Sequence, residues 1–171
     1  MSANEHPIKK VTAYVLSEWA MMLVEPGSQP ETMFSQNEPF FRVSAYYQGV
    51  FDGDLTIICQ EPFLNMLARN VLGADSEEVV SPEEQWDALR ELANIISGNY
   101  LVEAYGVETI FDLPHFELQQ TSFDGVSRYI TQKMSKFNGE AAALYLADGE
   151  PLFASFDINA SDYSNQTGDR R

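Results

Sequence analysis

The sequence predicts an α+β domain, an antiparallel sheet with long helices packed on one face. Three observations carry this expectation. The segment SPEEQWDALRELANIISGNYLVEAYG (81–106) has the marks of a long helix with well-defined ends. Two pairs of β-rich runs flank Asp-Gly dipeptides, in FDGD (51–54) and ADGE (147–150), and Asp-Gly between such runs is a strong hairpin signal. The long helical segments and the strand-like segments are segregated, which suits antiparallel layers.

The 171 residues fit one domain, expected to span 1–171 with its core at about 8–160 and a polar tail at 161–171. With 44% hydrophobic and 12% aromatic residues the chain can build a core, so disorder is excluded. No apolar run approaches the roughly 20 residues needed to span a bilayer. The first ten residues, MSANEHPIKK, lack the apolar centre of a signal peptide, so a cytoplasmic protein is expected. The single cysteine, Cys59, can form neither an internal disulfide nor a cysteine zinc cluster. Its setting, LTIIC, marks it as a small core residue. With 26 acidic against 10 basic residues the net charge is −16, which argues against nucleic acid or an anionic membrane as partner.

Taken in order, residues 7–25 read as a first helix, with Ile8, Val11, Val15, Trp19 and Met22 on one apolar stripe. Its methionines read as core filling. The proline-rich 26–39 reads as a loop. FFRVSAYYQGVFDGDLTIICQ (40–60) is the first hairpin. EPFLNMLARNVLGAD is a helix with Pro62 near its start and Gly73 past its end. In the long helix, Ser81 suits the N-cap, Pro82 the first turn, Glu84 the partner position of a capping box, and Gly106 the residue beyond the end. Glu83 and Glu84 favour the positive end of the helix dipole. VETIFDL (107–113) reads as a strand ending at Pro114, residues 115–140 as strand and loop, and 141–159 as the second hairpin.

At roughly 100° per residue, Trp86, Leu89, Ala93, Ile96, Tyr100 and Ala104 fall within about 80° of one another, and this stripe must face the core. Asp87, Glu91, Asn94 and Gly98 form a second patch roughly 150° away. Ala88, Ile95 and Val102 fall beside it, on a side where a solvated face would carry Lys, Glu or Gln. Gly98 costs about 1 kcal/mol relative to Ala inside a helix, and the missing Cβ would let another backbone approach. Periodicity leaves two readings open: an ordinary solvated acidic face, or a docking surface with a polar triad and an apolar margin.

Other constellations carry less. His115 and Glu117 are two metal-type ligands without a third, and His6 lies at the chain start. Glu83, Glu84, Asp87 and Glu91 are spread around the helix axis and read as solvated charge, so no metal site is expected. No catalytic triad, phosphate loop or dinucleotide motif occurs.

DALRELANIISGNY (87–100) resembles the active-site helix of the CheC/CheX/FliY group of chemotaxis phosphatases, CheX most closely. The family pattern is Asp or Ser, three residues, Glu, two residues, Asn, and a later Pro. Asp87, Glu91, Asn94 and Pro114 meet it, with 19 residues between Asn94 and Pro114, slightly short of the commoner spacing. Ser97–Asn99 and the element order over about 8–160 are also similar. Some relatives carry two such motifs. Here the first helix has Ser17 and Glu18 but no Asn three residues after the Glu, so one site is expected.

The resemblance implies hydrolysis of the aspartyl phosphate on a phosphorylated CheY-like receiver domain. The receiver would supply Mg2+ and a lysine, and this chain would need no cofactor of its own. Asn94 would orient the attacking water, since an amide both donates and accepts without adding charge. Glu91 would pair with the receiver's lysine, and Asp87, Ile95, Gly98 and Val102 would contact the partner. Pro114 would shape a strand end. The resemblance also implies a homodimer through sheet edges. The alternative is a non-catalytic adaptor that binds a receiver or a flagellar-switch component through the same helix.

Overall fold

A computed structural model describes residues 5–108, 111–112, 114–135 and 141–158. Its elements run α1 (Pro7–Glu18), β1 (Val24–Pro26), α2 (Pro30–Met33), β2 (Phe40–Tyr47), β3 (Gly53–Gln60), α3 (Glu61–Leu72), α4 (Pro82–Tyr105), β4 (His115–Thr121), α5 (Phe123–Ser135), β5 (Ala142–Ala147) and β6 (Glu150–Ile158). The strands form a six-stranded sheet in the order β1-β5-β6-β3-β2-β4, with antiparallel neighbours throughout. The expected α+β class holds.

Strand alternation sorts the sheet residues onto two faces. Val43, Ala45 and Tyr47 of β2, Leu55, Ile57 and Cys59 of β3, and Leu152, Ala154 and Phe156 of β6 join one large buried cluster. Helices α1, α3 and α4 close this side with Ile8, Val15, Leu67, Leu89, Leu92 and Ile96. Cys59 is fully buried here, and burial pushes its thiol pKa far up, so it packs as an apolar residue. The opposite face carries a smaller core of Phe40, Ile58, Ala142, Leu144 and Phe153, covered by Val126 and Ile130 of α5 and by Phe34.

Helix α5 departs from the expectation of strand and loop for 115–140. Residues 115–121 are the strand, and 123–135 are helix. Val126 and Ile130 stand one turn apart and gain their stability from the sheet's second face, a tertiary effect that local pattern does not display. Residues 136–140 lie outside the described residues, as do most of 109–113. Of the strand expected at 107–113, residues 107–108 are a turn and Phe111 makes only an isolated bridge to Gly49. Pro114 therefore precedes β4 and does not end a strand.

The first helix stops at Glu18, seven residues before the expected end. Met21 takes a left-handed φ of 55°, the chain reverses, and Val24 pairs with Ala147 as an edge strand. Within the expected loop 26–39, Pro30–Met33 form one helical turn. Both hairpins form, with different turns. Asp148 and Gly149, at φ 48° and 85°, make a two-residue turn between Ala147 and Glu150. In the first hairpin five residues, 48–52, separate the pair Tyr47 and Gly53, so Phe51 and Asp52 lie in the connection but Asp52–Gly53 is not a two-residue turn. Gly53 belongs to β3, where an added Cβ would lie 2.8 Å from the Asp157 carbonyl oxygen of β6. The tail expected at 161–171 falls outside the described residues.

Candidate functional site on helix α4

Local chemistry fixes where α4 begins. The Ser81 backbone N–H donates to Glu84 Oε2 (2.8 Å), and the Glu84 N–H donates to Ser81 Oγ (3.3 Å). This reciprocal capping box, with Pro82 following, is what the sequence predicts. The Ser81 backbone N–H and the Ser81 hydroxyl, which also donates to Glu84 Oε2 (2.8 Å), hold the Glu84 carboxyl below its ordinary pKa. At the other end Gly106, at φ 90°, donates its N–H to the Val102 carbonyl (2.9 Å).

The rotation of α4 about its axis decides what it displays. Leu89, Ala93, Ile96 and Tyr100 are buried as expected, while Trp86 is half-buried with its ring edge-on to Phe41 (5.3 Å between centroids). Ser97 lies within this buried face. The Tyr47 hydroxyl of β2 donates to Ser97 Oγ, which in turn donates to the Ala93 carbonyl one turn back. Burial raises the Tyr47 pKa, and the Ser97 contact partly opposes it. This sheet-to-helix hydrogen bond locks the azimuth of α4, and Asn94, three residues before Ser97, is thereby held outward. A serine inside an apolar stripe was the available sequence signal for it.

Asp87, Glu91, Asn94 and Gly98 are all exposed, one turn apart in succession, as the periodicity predicts. Asp87 is paired within its own helix, Oδ1 lying 3.1 Å from Arg90 Nη2. Among the described residues no hydrogen bond or ion pair holds the side chains of Glu91 or Asn94. An added Cβ at Gly98 would meet nothing within 4 Å, so the chain's own packing does not require that glycine.

The apolar margin is narrower than expected. Val102 is 48% exposed and Ile95 half-buried, but Ala88 is only 6% exposed. Ala88 shares a ridge with Gln85 and Leu92, and that ridge faces α3, where Gln85 Nε2 donates to Asn65 Oδ1 (2.6 Å). A helix wedged between a sheet and neighbouring helices buries more than one stripe. His115 and Glu117 both meet Tyr46: the His115 ring stacks at 6.4 Å, and the Glu117 carboxylate accepts from the Tyr46 hydroxyl (3.2 Å). Among the described residues no three His, Cys, Asp or Glu side chains gather as a metal site. No described helix is long and apolar enough to cross a membrane.

The model of the family described as chemotaxis phosphatase CheX matches residues 43–121, which run from β2 through α4 to β4. Among solved structures, a CheX chemotaxis protein from Desulfovibrio desulfuricans is 16% identical, with 90% of this chain and 97% of that chain covered and a TM-score of 0.56. CheX in a CheX–CheY–BeF3–Mg2+ complex from Borrelia burgdorferi is 19% identical over 90% and 96%, with a TM-score of 0.53. FliY from Thermotoga maritima is 16% identical over 95% and 88%, with a TM-score of 0.52. Comparison with curated protein sequences finds no match. Fold and helix thus define an α+β domain of the CheC/CheX/FliY type. Within that class, the chain's residues 43–121 match the CheX family model.

Proposed function

We propose that this protein hydrolyses the aspartyl phosphate of a CheY-like receiver domain from the exposed face of α4. The observation that carries the reading is the outward pair Glu91 and Asn94, one turn apart on a rotationally locked helix. The family match supports it, as does the CheX–CheY complex seen for the Borrelia relative. In the proposed complex Mg2+ belongs to the receiver, and this chain supplies no cofactor. The Asn94 amide holds a water in line with the bond between phosphorus and the aspartyl oxygen. Water oxygen bonds to phosphorus as that bond breaks, giving inorganic phosphate and a free aspartate. Glu91, an anion that the phosphoryl oxygens repel, pairs with the receiver's lysine and sets the register. The arm Asp87–Arg90 lies at the docking edge, and Gly98 leaves room for the partner backbone. The reading includes a homodimer through an exposed sheet edge, for which β1 and β4 are the candidates.

The test follows loss of phosphoryl label from several receivers. The unaltered protein accelerates loss. Asn94→Ala still binds but lowers kcat about a hundredfold, the scale for removing one positioned group at a reacting centre. Equal acceleration by both overturns the role of Asn94, and decay no faster with the unaltered protein than without it, on every receiver, overturns the enzyme reading. Binding retained in that case would make the chain an adaptor.

A further inference from the structure

We infer that Arg90 is a further catalytic residue of the α4 site, its guanidinium donating to a phosphoryl oxygen beside the water that Asn94 holds. This rests on the proposed phosphatase reading of α4. Helix geometry brings the two side chains together. Arg90 and Asn94 are four residues apart in one unbroken helix, so they are neighbours on its surface, roughly 40° apart around the axis and about 5–6 Å apart at Cβ. Both are exposed. Asn94 thus stands between Arg90, on the side of the sheet, and Glu91, on the side away from it. In the free chain the Arg90 fork lies back one turn, with Nη2 3.1 Å from Asp87 Oδ1.

The charges around Arg90 show what it can meet. It is the one basic residue of α4, beside Asp87 and Glu91 and two turns beyond Glu83. Among the described residues the sheet below adds no charge: on the face that α4 covers, Phe41, Val43 and Ala45 of β2 pair with Gln120, Leu118 and Phe116 of β4. Lys10 is held by Glu103 in the last turn of α4, and Arg42 and Lys133 both lie against the Tyr129 ring of α5 on the opposite face of the sheet. A phosphoryl group brought to Asn94 therefore meets two carboxylates and one cation. Glu91 is taken by the receiver's lysine in the proposed complex, which leaves Arg90 to offset Asp87 and the phosphoryl charge.

The fork is free to change partner. The Arg90 and Asp87 side chains are 46% and 60% exposed, and an exposed pair contributes little. Asp87 is the one ion-pair partner of Arg90 among the described residues, so the fork keeps most of its N–H donors for another oxygen. An arginine also reaches past an asparagine by its Nε and fork, so its donors come level with a group on the far side of the bound water. As water attacks, negative charge spreads over the equatorial phosphoryl oxygens, a bidentate partner for the guanidinium. Water oxygen bonds to phosphorus, the bond to the aspartyl oxygen breaks with its electron pair left on the carboxylate, and one water proton passes to a phosphate oxygen. Arg90 donates hydrogen bonds throughout and keeps its protons.

The experiment measures kcat and KM on receivers phosphorylated with an acyl-phosphate donor and Mg2+. Arg90→Ala lowers kcat about tenfold, less than the loss of a donor acting alone because Mg2+ and the receiver's lysine share the charge, and leaves KM within about threefold. Arg90→Lys, which keeps the charge and loses the fork, recovers part of the rate. The same loss appears when Arg90→Ala is made in an Asp87→Asn background. Arg128→Ala, exposed on α5 across the sheet, removes the same unit of net charge and changes neither constant. With hydrolysis intact in the unaltered protein, an unchanged kcat for Arg90→Ala, a rise in KM alone, or an equal fall for Arg128→Ala overturns the Arg90 assignment. Loss of the effect in the Asp87→Asn background also overturns it, by reducing Arg90 to a screen for Asp87. No acceleration by the unaltered protein overturns the phosphatase reading and this assignment with it.

Discussion

Gly98 separates the demands of folding from those of binding at a single residue. In the isolated chain the glycine is a cost, because its position is mid-helix and its missing side chain faces open space. Gly98→Ala should therefore stabilise the protein by about 1 kcal/mol. That corresponds to roughly 2–4 °C in melting temperature for a domain of this size. The same methyl group should weaken receiver binding, since it occupies the clearance the proposed complex uses. Thermal unfolding and titration with an activated receiver read the two effects, which should have opposite signs. A stabilised variant with unchanged binding would show that Gly98 is not at the interface. Asn94 and Glu91 divide differently: neither is held by the fold, so their placement depends wholly on the backbone beneath them. That backbone is fixed from the buried side, by Tyr47 on Ser97.

Among the elements, α4 depends most on its start, because its display face is useful only if the helix begins in register. Ser81→Ala removes the N-cap acceptor and should cost about 1 kcal/mol at pH 7. The cap is also linked to pH. The Glu84 pKa is depressed in the folded protein by its bonds to Ser81, from an ordinary value of 4.5. A carboxyl depressed on folding adds stability that is present above 4.5 and lost as pH falls through its folded value. Only the hydroxyl's own bond to Glu84 is pH-linked, so denaturant melts of Ser81→Ala should differ somewhat more from the unaltered protein above that pH, and below it should keep the difference due to the lost cap acceptor. A difference independent of pH would assign the whole cost to the serine acceptor.

The same local chemistry explains what was legible in the sequence. Helix α4 and the turn at Asp148–Gly149 are specified by residues adjacent to them, and so were readable, as was the outward patch Asp87–Gly98. Helix α5 and the end of α1 are specified at a distance. Val126 and Ile130 have meaning only over Phe40, Ile58 and Phe153. No glycine or proline stops α1 at Glu18. It ends where Asp148 holds the next segment, its backbone N–H donating to the Leu23 carbonyl and its Oδ1 accepting from the Leu23 N–H, both at 2.8 Å. Ala88 was misplaced for the same reason, since its burial depends on where α3 lies.

For the whole molecule, the net charge of −16 must be reconciled with an anionic partner. Two electrostatic effects oppose each other. At long range the two acidic proteins repel, and this slows encounter. At contact, Glu91 attracts a cation, but only over a few ångströms and partly shielded from water. Salt acts unequally on them. The Debye length falls from about 30 Å at 0.01 M to about 8 Å at 0.15 M, which removes the long-range repulsion first. A close pair excluded from solvent is screened much less. For an acidic receiver, the association rate should therefore rise between about 0.02 and 0.2 M salt, while the dissociation rate changes little. Stopped-flow mixing with an activated receiver separates the two constants. The Glu91→Gln variant sharpens the result: it should dissociate faster at every salt concentration yet keep the same upward slope in association, because one charge in sixteen barely alters the long-range field. An association rate that falls with salt would mean that the receiver offers a basic face to this acidic chain.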